Sequence, residues 1–258
     1  MTDFLLHSTR HDKDALFKIP FSMFAPNQVK KYTHQSEYDK SKDSKFEHYE
    51  YTINEHGFRY TEPKTDNIML AVGCSMTYGT GLPEECVYPS IVSKQLGYEL
   101  VNVGLPGSGP DIQIMNATWA LLKYKPKIIL FYMSTPSRRF LTTETDFMNW
   151  VPGVNLSGFS ELENKLFTLL DDKFRFTRVL QTIWQLVPFI QLCKQSNTEV
   201  YFKCWDPEAQ AHFMKYDIMQ YIKDLPNLKT VDKARDDMHP GIESHKEFAH
   251  RILDAIKV

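Results

Sequence analysis

Five short apolar runs, separated by longer segments with helical spacing, constrain this chain more than any other feature. They lie at residues 68–72, 99–103, 128–133, 199–204 and 228–231. Short, nearly continuous apolar runs suit strands covered on both faces. Their alternation with segments of helical spacing, at 88–96 and 111–123, is the pattern of a parallel sheet joined by crossover helices. A further helix is predicted over 240–256, where Phe248, Ile252, Leu253 and Ile256 fall on one side.

Two stretches stand outside that alternation. Residues 1–66 are polar, rich in Lys, Tyr and His, and carry a charge-dense run at 35–50. They read as an extension wrapped on a core that begins at 67, and few of them are expected inside it. Residues 141–196 are too long for an ordinary crossover and predict inserted helices over 162–170 and 176–192. Such helices either cap a site or pack at the edge of the sheet, the commoner arrangement.

With 258 residues, 42% of them hydrophobic, the chain can bury one substantial core. Its formal net charge of -2 offers no concentrated basic face for nucleic acid or an anionic membrane. Small neutral or weakly charged substrates fit better. The four cysteines form no CxxC pair and do not read as a disulfide framework. Neither a leader segment nor a membrane-spanning apolar stretch is apparent, so a soluble, cytoplasmic protein is expected.

Three segments carry chemistry. Gly73-Cys74-Ser75-Met76-Thr77-Tyr78-Gly79 follows the first core run, where the turn after a parallel strand faces the ligand crevice. Ser75 there is either a presented hydroxyl or a plain N-cap. Asn102-Val103-Gly104-Leu105-Pro106-Gly107-Ser108-Gly109 follows the second run. It is either a glycine turn with an amide aimed at a developing oxyanion or simply a tight turn. Asp236-Asp237-Met238-His239-Pro240-Gly241 places a carboxylate three residues before an imidazole. That spacing suits an acid that orients a general base, or a solvated turn in which Pro240 opens a helix.

Taken together and in this order, the segments resemble the blocks of the SGNH (GDSL-like) hydrolases. Those blocks read Gly-Asp-Ser, a glycine turn, Gly-x-Asn-Asp and Asp-x-x-His. The resemblance runs from about residue 67 onward and is strongest in 68–139 and 236–239. A shorter likeness, Asn54-Glu55-His56-Gly57-Phe58-Arg59, is similar to an Asn-x-x-Gly-Phe-Arg segment that often precedes the serine block. The resemblance implies a three-layer α/β/α sandwich with a short, flavodoxin-like parallel sheet. It implies Ser75 as nucleophile, His239 as base, Asp236 as orienting acid, and the amides of Ser75 and Gly107 as oxyanion donors. It implies no cofactor.

Two positions depart from the family pattern. Cys74 replaces the Asp before the serine and is read as structural. Tyr132-Met133-Ser134-Thr135-Pro136-Ser137-Arg138-Arg139 replaces Gly-x-Asn-Asp and lacks the asparagine whose amide donates to the oxyanion. Losing one such donor lowers rates about 100- to 1000-fold in other hydrolases. Ser134 or Thr135 is the expected substitute, as in a variant subgroup similar to virus-encoded members. Arg138 and Arg139 either meet an acidic or hydroxyl group of the substrate or form a salt-bridged edge. Metal chemistry fits poorly, because His239, His245 and His250 are not spaced to share one helical face. No phosphate loop or dinucleotide fingerprint is present. The expected activity is hydrolysis of short acyl esters, acetyl esters on carbohydrate among them. Acyl transfer through the same residues and a non-catalytic glycan-binding or particle-associated module are the alternatives.

Overall fold

The computed structural model describes Pro20, Ser22 and residues 27–32, 49–142, 147–150, 161–234 and 238–257. Within these, β3 (Ile68–Gly73), β4 (Glu99–Asn102), β5 (Ile128–Met133), β8 (Glu199–Cys204) and β9 (Lys223–Asp224) form one parallel sheet in the order β4-β3-β5-β8-β9. The first strand in the sheet therefore has the second on one side and the third on the other, the flavodoxin-like order. Two antiparallel ribbons lie apart from it, β1 (Gln28–Tyr32) with β2 (Tyr49–Ile53) and β6 (Arg139–Thr142) with β7 (Phe147–Trp150).

Alternation along the strands builds two cores. Leu70, Val72, Ile129, Phe131, Val200 and Phe202 enter one, while Met69, Ile128, Leu130, Tyr132 and Tyr201 enter the other. Successive side chains of a strand leave by opposite faces, so a run apolar at every position needs a helical layer on both sides. Helices α3 (Pro110–Tyr124) and α4 (Glu161–Gln195) cover the first face, and α2 (Tyr88–Leu96) and α6 (Ile242–Lys257) the second. Two short helices, α1 (Ser75–Tyr78) and α5 (Pro207–Phe213), follow strand ends.

Four of the expected strands and the three expected helices outside the insertion lie where the sequence pattern puts them, to within about two residues. The fifth strand does not. It is the charged pair Lys223–Asp224, set by pairing with Tyr201 and Phe202, and not 228–231. Leu225 just after it is fully buried, whereas Val231 is exposed. The two helices expected in the insertion are one helix of 35 residues with Pro188 inside it. Its second half buries Val179, Ile183, Leu186, Phe189 and Ile190, and its first half exposes Leu162, Leu166 and Leu169.

The polar extension contributes a few side chains to the core: Tyr51, Ile53, Phe58, Arg59 and Tyr60 are at most 3% exposed. Much of the run 35–50 lies outside the described residues. No described helix is long and apolar enough to cross a membrane.

Candidate active site

Because all five sheet strands are parallel, their C-terminal ends share one edge. Ser75 follows β3, Gly107 follows β4, Ser134 to Arg138 follow β5, Trp205 and Asp206 follow β8, and His239 lies between β9 and α6. With β4 and β5 on opposite sides of β3, Ser75 stands at the topological switch point, where open α/β sheets bind ligands.

The turn that carries Ser75 is held from three sides. A Cβ on Gly73 would lie 2.8 Å from the Tyr132 carbonyl oxygen, so β5 passes too close for any side chain there. From β4, Asn102 Nδ2 donates to the Thr77 carbonyl at 2.8 Å and Asn102 Oδ1 accepts from the Gly104 N–H at 2.9 Å. A Cβ on Gly104 would meet the Tyr78 nitrogen at 2.7 Å. From the N-terminal segment, buried Arg59 closes the far end. Its Nη1 donates to the carbonyls of Tyr78 (3.2 Å) and Gly79 (2.9 Å), and its Nη2 to that of Leu82 (2.8 Å).

Arg59 explains the Asn-x-x-Gly-Phe-Arg segment. Asn54 Oδ1 accepts the N–H groups of His56 and Phe58, and Gly57 supplies the positive φ of 82° that the turn requires. Phe58 enters the core and Arg59 reaches the carbonyls at the end of α1, its guanidinium 4.1 Å from the Tyr51 ring centroid.

Ser75 is 6% exposed and is the first residue of α1, whose N-cap Cys74 makes no side-chain cap. Cys74 Sγ is buried and lies 3.5 Å from Ser75 Oγ. Beside it, Leu105 to Ser108 form a turn closed by the Ser108 N–H on the Leu105 carbonyl at 3.1 Å. Pro106 and Gly107, the latter at φ 74°, occupy its centre as in a type II turn. The Gly107 N–H lies outside that hydrogen-bonded ring. The Gly73 carbonyl accepts the Leu105 N–H at 3.1 Å and Ser108 Oγ at 3.3 Å, tying this turn to the serine turn.

The two hydroxyls expected to replace the missing asparagine are committed elsewhere. Ser134 is fully buried. Its Oγ donates to the Ser108 carbonyl at 2.9 Å and accepts from Gln113 Nε2 at 3.0 Å. Thr135 Oγ1 donates to Asp206 Oδ2 at 3.3 Å. Through these bonds Ser134 links the loops after β4 and β5. Gln113, also buried, completes that link by accepting the Ser134 N–H through Oε1 at 3.2 Å.

His239 is half-buried beside an antiparallel bridge between Lys233 and Pro240, where the Ala234 N–H donates to the His239 carbonyl (2.8 Å) and the Gly241 N–H to the Asp232 carbonyl (2.9 Å). A Cβ on Gly241 would lie 2.7 Å from the Lys233 carbonyl oxygen, which accounts for the glycine after Pro240. Helix α6, which follows Gly241, is linked to the serine turn through α2. Tyr88 hydrogen-bonds Thr77 through its hydroxyl at 2.9 Å, and its N–H donates to His245 Nδ1 at 3.1 Å. Burial pushes the His245 pKa down to about 4, so its imidazole is neutral. Asp236 and the side chain of Arg139 lie outside the described residues.

Arg59 and Ser108 stand in motifs that the sequence marks, without a role of their own, and Gln113 stands in none. For Gln113 a signal was present: with Asn116 it falls in phase with Ala117 and Ala120 on the buried face of α3, where a polar residue must have a partner. Among the described residues, Glu55, His56 and Glu62 bring ligand atoms within 4.8 Å of one another. Lys123 already supplies that cluster with a cation, through His56 Nε2 and at 3.7 Å from Glu62 Oε2. Burial and then the Lys123 charge lower the His56 pKa. The cluster sits by the C-terminal end of α3, away from Ser75.

No family model and no curated protein matches the chain. Solved structures are similar to it at low identity. TesA gives a TM-score of 0.49 at 14% identity, over 74% of this chain and 98% of its own. An acetyl xylan esterase from the rumen bacterium Butyrivibrio proteoclasticus gives 0.48 at 13%, over 76% of this chain and 65% of its own. The psychrotrophic esterase EstA from Pseudoalteromonas sp. gives 0.47 at 14%, over 74% and 97%.

Proposed function

We propose that this protein is a serine ester hydrolase of the SGNH type acting on short acyl esters, acetyl esters of carbohydrate being the leading class. The observation that carries the reading is Ser75 itself: a serine heading an uncapped helix at the switch point, in a turn hydrogen-bonded to the Gly107 turn. In this mechanism His239 takes the Ser75 proton as Oγ attacks the ester carbonyl, and Asp236 holds the imidazole in the required tautomer. The amides of Ser75 and Gly107 stabilise the tetrahedral oxyanion. The alcohol leaves with the proton from His239, and water activated by the same imidazole resolves the acyl-enzyme. A sugar hydroxyl in place of that water would make the same site an acyltransferase.

One observation favours a second reading, a non-catalytic glycan-binding module. The Ser134 and Thr135 hydroxyls, the expected substitutes for the family asparagine, donate to Ser108 and Asp206 in this structure. Hydrolysis of p-nitrophenyl acetate and butyrate by the wild type, Ser75→Ala and His239→Ala separates the two. The hydrolase reading expects turnover that both substitutions abolish. Equal rates in all three proteins, or none in any, would transfer the weight to the binding module.

A further inference from the structure

Arg138 lies half-buried in the loop after β5 and borders the Gly107 turn. A Cβ on Gly109 would lie 2.5 Å from the Arg138 carbonyl oxygen. The guanidinium stands over Trp205, 4.7 Å from the ring centroid, and Trp205 packs against Tyr132 at 6.0 Å. Stacking occupies a face of the guanidinium and leaves its N–H groups directed outward in the plane. Those at Nε and Nη1 are closed off from solvent without an acceptor, and so is Trp205 Nε1.

The neighbouring carboxylate does not answer them. Asp206 Oδ2 takes Arg175 Nη2 at 2.8 Å and Thr135 Oγ1 at 3.3 Å, and its Oδ1 takes the N–H groups of Glu208 and Ala209 at 3.1 Å. Arg59 shows the contrast. Its Nη1 and Nη2 reach three carbonyls and its Nε alone lacks a partner. A cationic group kept with unanswered donors at the ligand edge of the sheet calls for an acceptor from outside the chain.

We propose that Arg138 and Trp205 form a subsite for a carboxylate on the substrate, beside the ester that Ser75 attacks. Its relation to an ester rests on the hydrolase reading; the anion site does not. Arg175 is paired with Asp206 and Glu208, so Arg138 supplies the one guanidinium of this cluster whose donors lack an acceptor among the described residues. That suits a carboxylate better than a phosphate dianion. The carboxylate belongs either to an acidic sugar or to an acyl chain that ends in one.

The test is a titration of the Ser75→Ala protein with sodium D-glucuronate, sodium glutarate and D-glucose at constant ionic strength, followed by tryptophan fluorescence. At least one carboxylate is expected to bind more tightly than glucose, and which one does identifies the source. Adding Arg138→Met should weaken that binding about 10- to 100-fold, the worth of hydrogen bonds to a charged group. Arg138→Gln should weaken it too. Neither variant should lower Tm by more than about 4 °C, because only the stacking on Trp205, worth about 1 kcal/mol, is lost. The proposal is overturned if neither carboxylate binds more tightly than glucose, or if the Arg138 variants bind them unchanged. No turnover is needed, so retained hydrolysis by Ser75→Ala would sink the hydrolase reading and leave this experiment to decide the subsite.

Discussion

Replacing Arg59 by Met tests whether the core-entering N-terminal segment holds the serine turn. The substitution keeps most of the aliphatic volume and removes the fork. Three main-chain carbonyls, of Tyr78, Gly79 and Leu82, then lose donors at 2.8–3.2 Å. The Gly79 carbonyl keeps the Leu82 N–H at 3.2 Å, whereas each of the other two, left unpaired, costs about 1–3 kcal/mol, and the stacking on Tyr51 is worth about 1 kcal/mol further. The desolvation penalty of the guanidinium disappears with it and returns part of that sum. The net loss is about 3 kcal/mol, which for a chain of this size lowers Tm by about 6–12 °C. Arg59→Lys keeps the charge, but one ammonium cannot span both sets of carbonyls, so about half the loss is expected. Differential scanning calorimetry of the three proteins at one pH reads the effect. A fall below about 2 °C in Arg59→Met would refute the clamp.

Burial holds His245 neutral down to about pH 4, whereas an unfolded histidine takes its proton near 6.5. Its contribution is complete above pH 6.5 and is lost as pH falls toward 4, by about 3 kcal/mol. Urea unfolding at pH 7 and 4.5 should show that slope in the wild type and a shallower one in His245→Gln; identical slopes would dismiss it. Gly104→Ala should cost about 1–3 kcal/mol, because the Cβ meets main-chain atoms of Thr77 and Tyr78, and should depress ester turnover by shifting the serine turn. Gly97→Ala has open space and loses stability only through its φ of 74°, with turnover unchanged. Ser134→Ala should destabilise by about 1–2 kcal/mol with kcat within about threefold, whereas an oxyanion donor would cost about 100-fold or more.

Periodicity revealed those elements whose environment is uniform. Strands β3, β4, β5 and β8 are apolar throughout or nearly so, and α2, α3 and α6 lie between clear breaks, so spacing alone located them. Strand β9 carries no apolar signal, because at the sheet edge Lys223 and Asp224 face water and only pairing defines the strand. The inserted helices were split at 171–175, where Asp, Lys and Arg interrupt the apolar spacing. A long helix can cross such a stretch if that half does not need to be buried. The core role of 51–60 was hidden because its largest buried side chains include Tyr51, Tyr60 and Arg59, whose polar ends disguise them in a hydropathy reading. The places of Ser75, Gly107 and His239 in the loops around the sheet were legible because strand ends and turns have local signatures. The partners that hold the site, Arg59, Ser108 and Gln113, act across the chain and leave only faint local marks.

The short, charged edge at β9 also governs how this molecule can meet others. Its outer strand has two residues, Lys203 Nζ reaches Asp224 at 3.0 Å, and Lys223 Nζ reaches Glu199 at 3.1 Å. At the opposite edge, Glu99 of β4 accepts the N–H groups of Lys64 and Thr65, which drapes the preceding segment over that flank. Neither border offers the long, bare row of main-chain groups on which a foreign strand can be laid. Growth of the central sheet from molecule to molecule, the usual start of fibrous aggregation, is therefore disfavoured, and among the described residues the helical surfaces and the two ribbons are left for assembly.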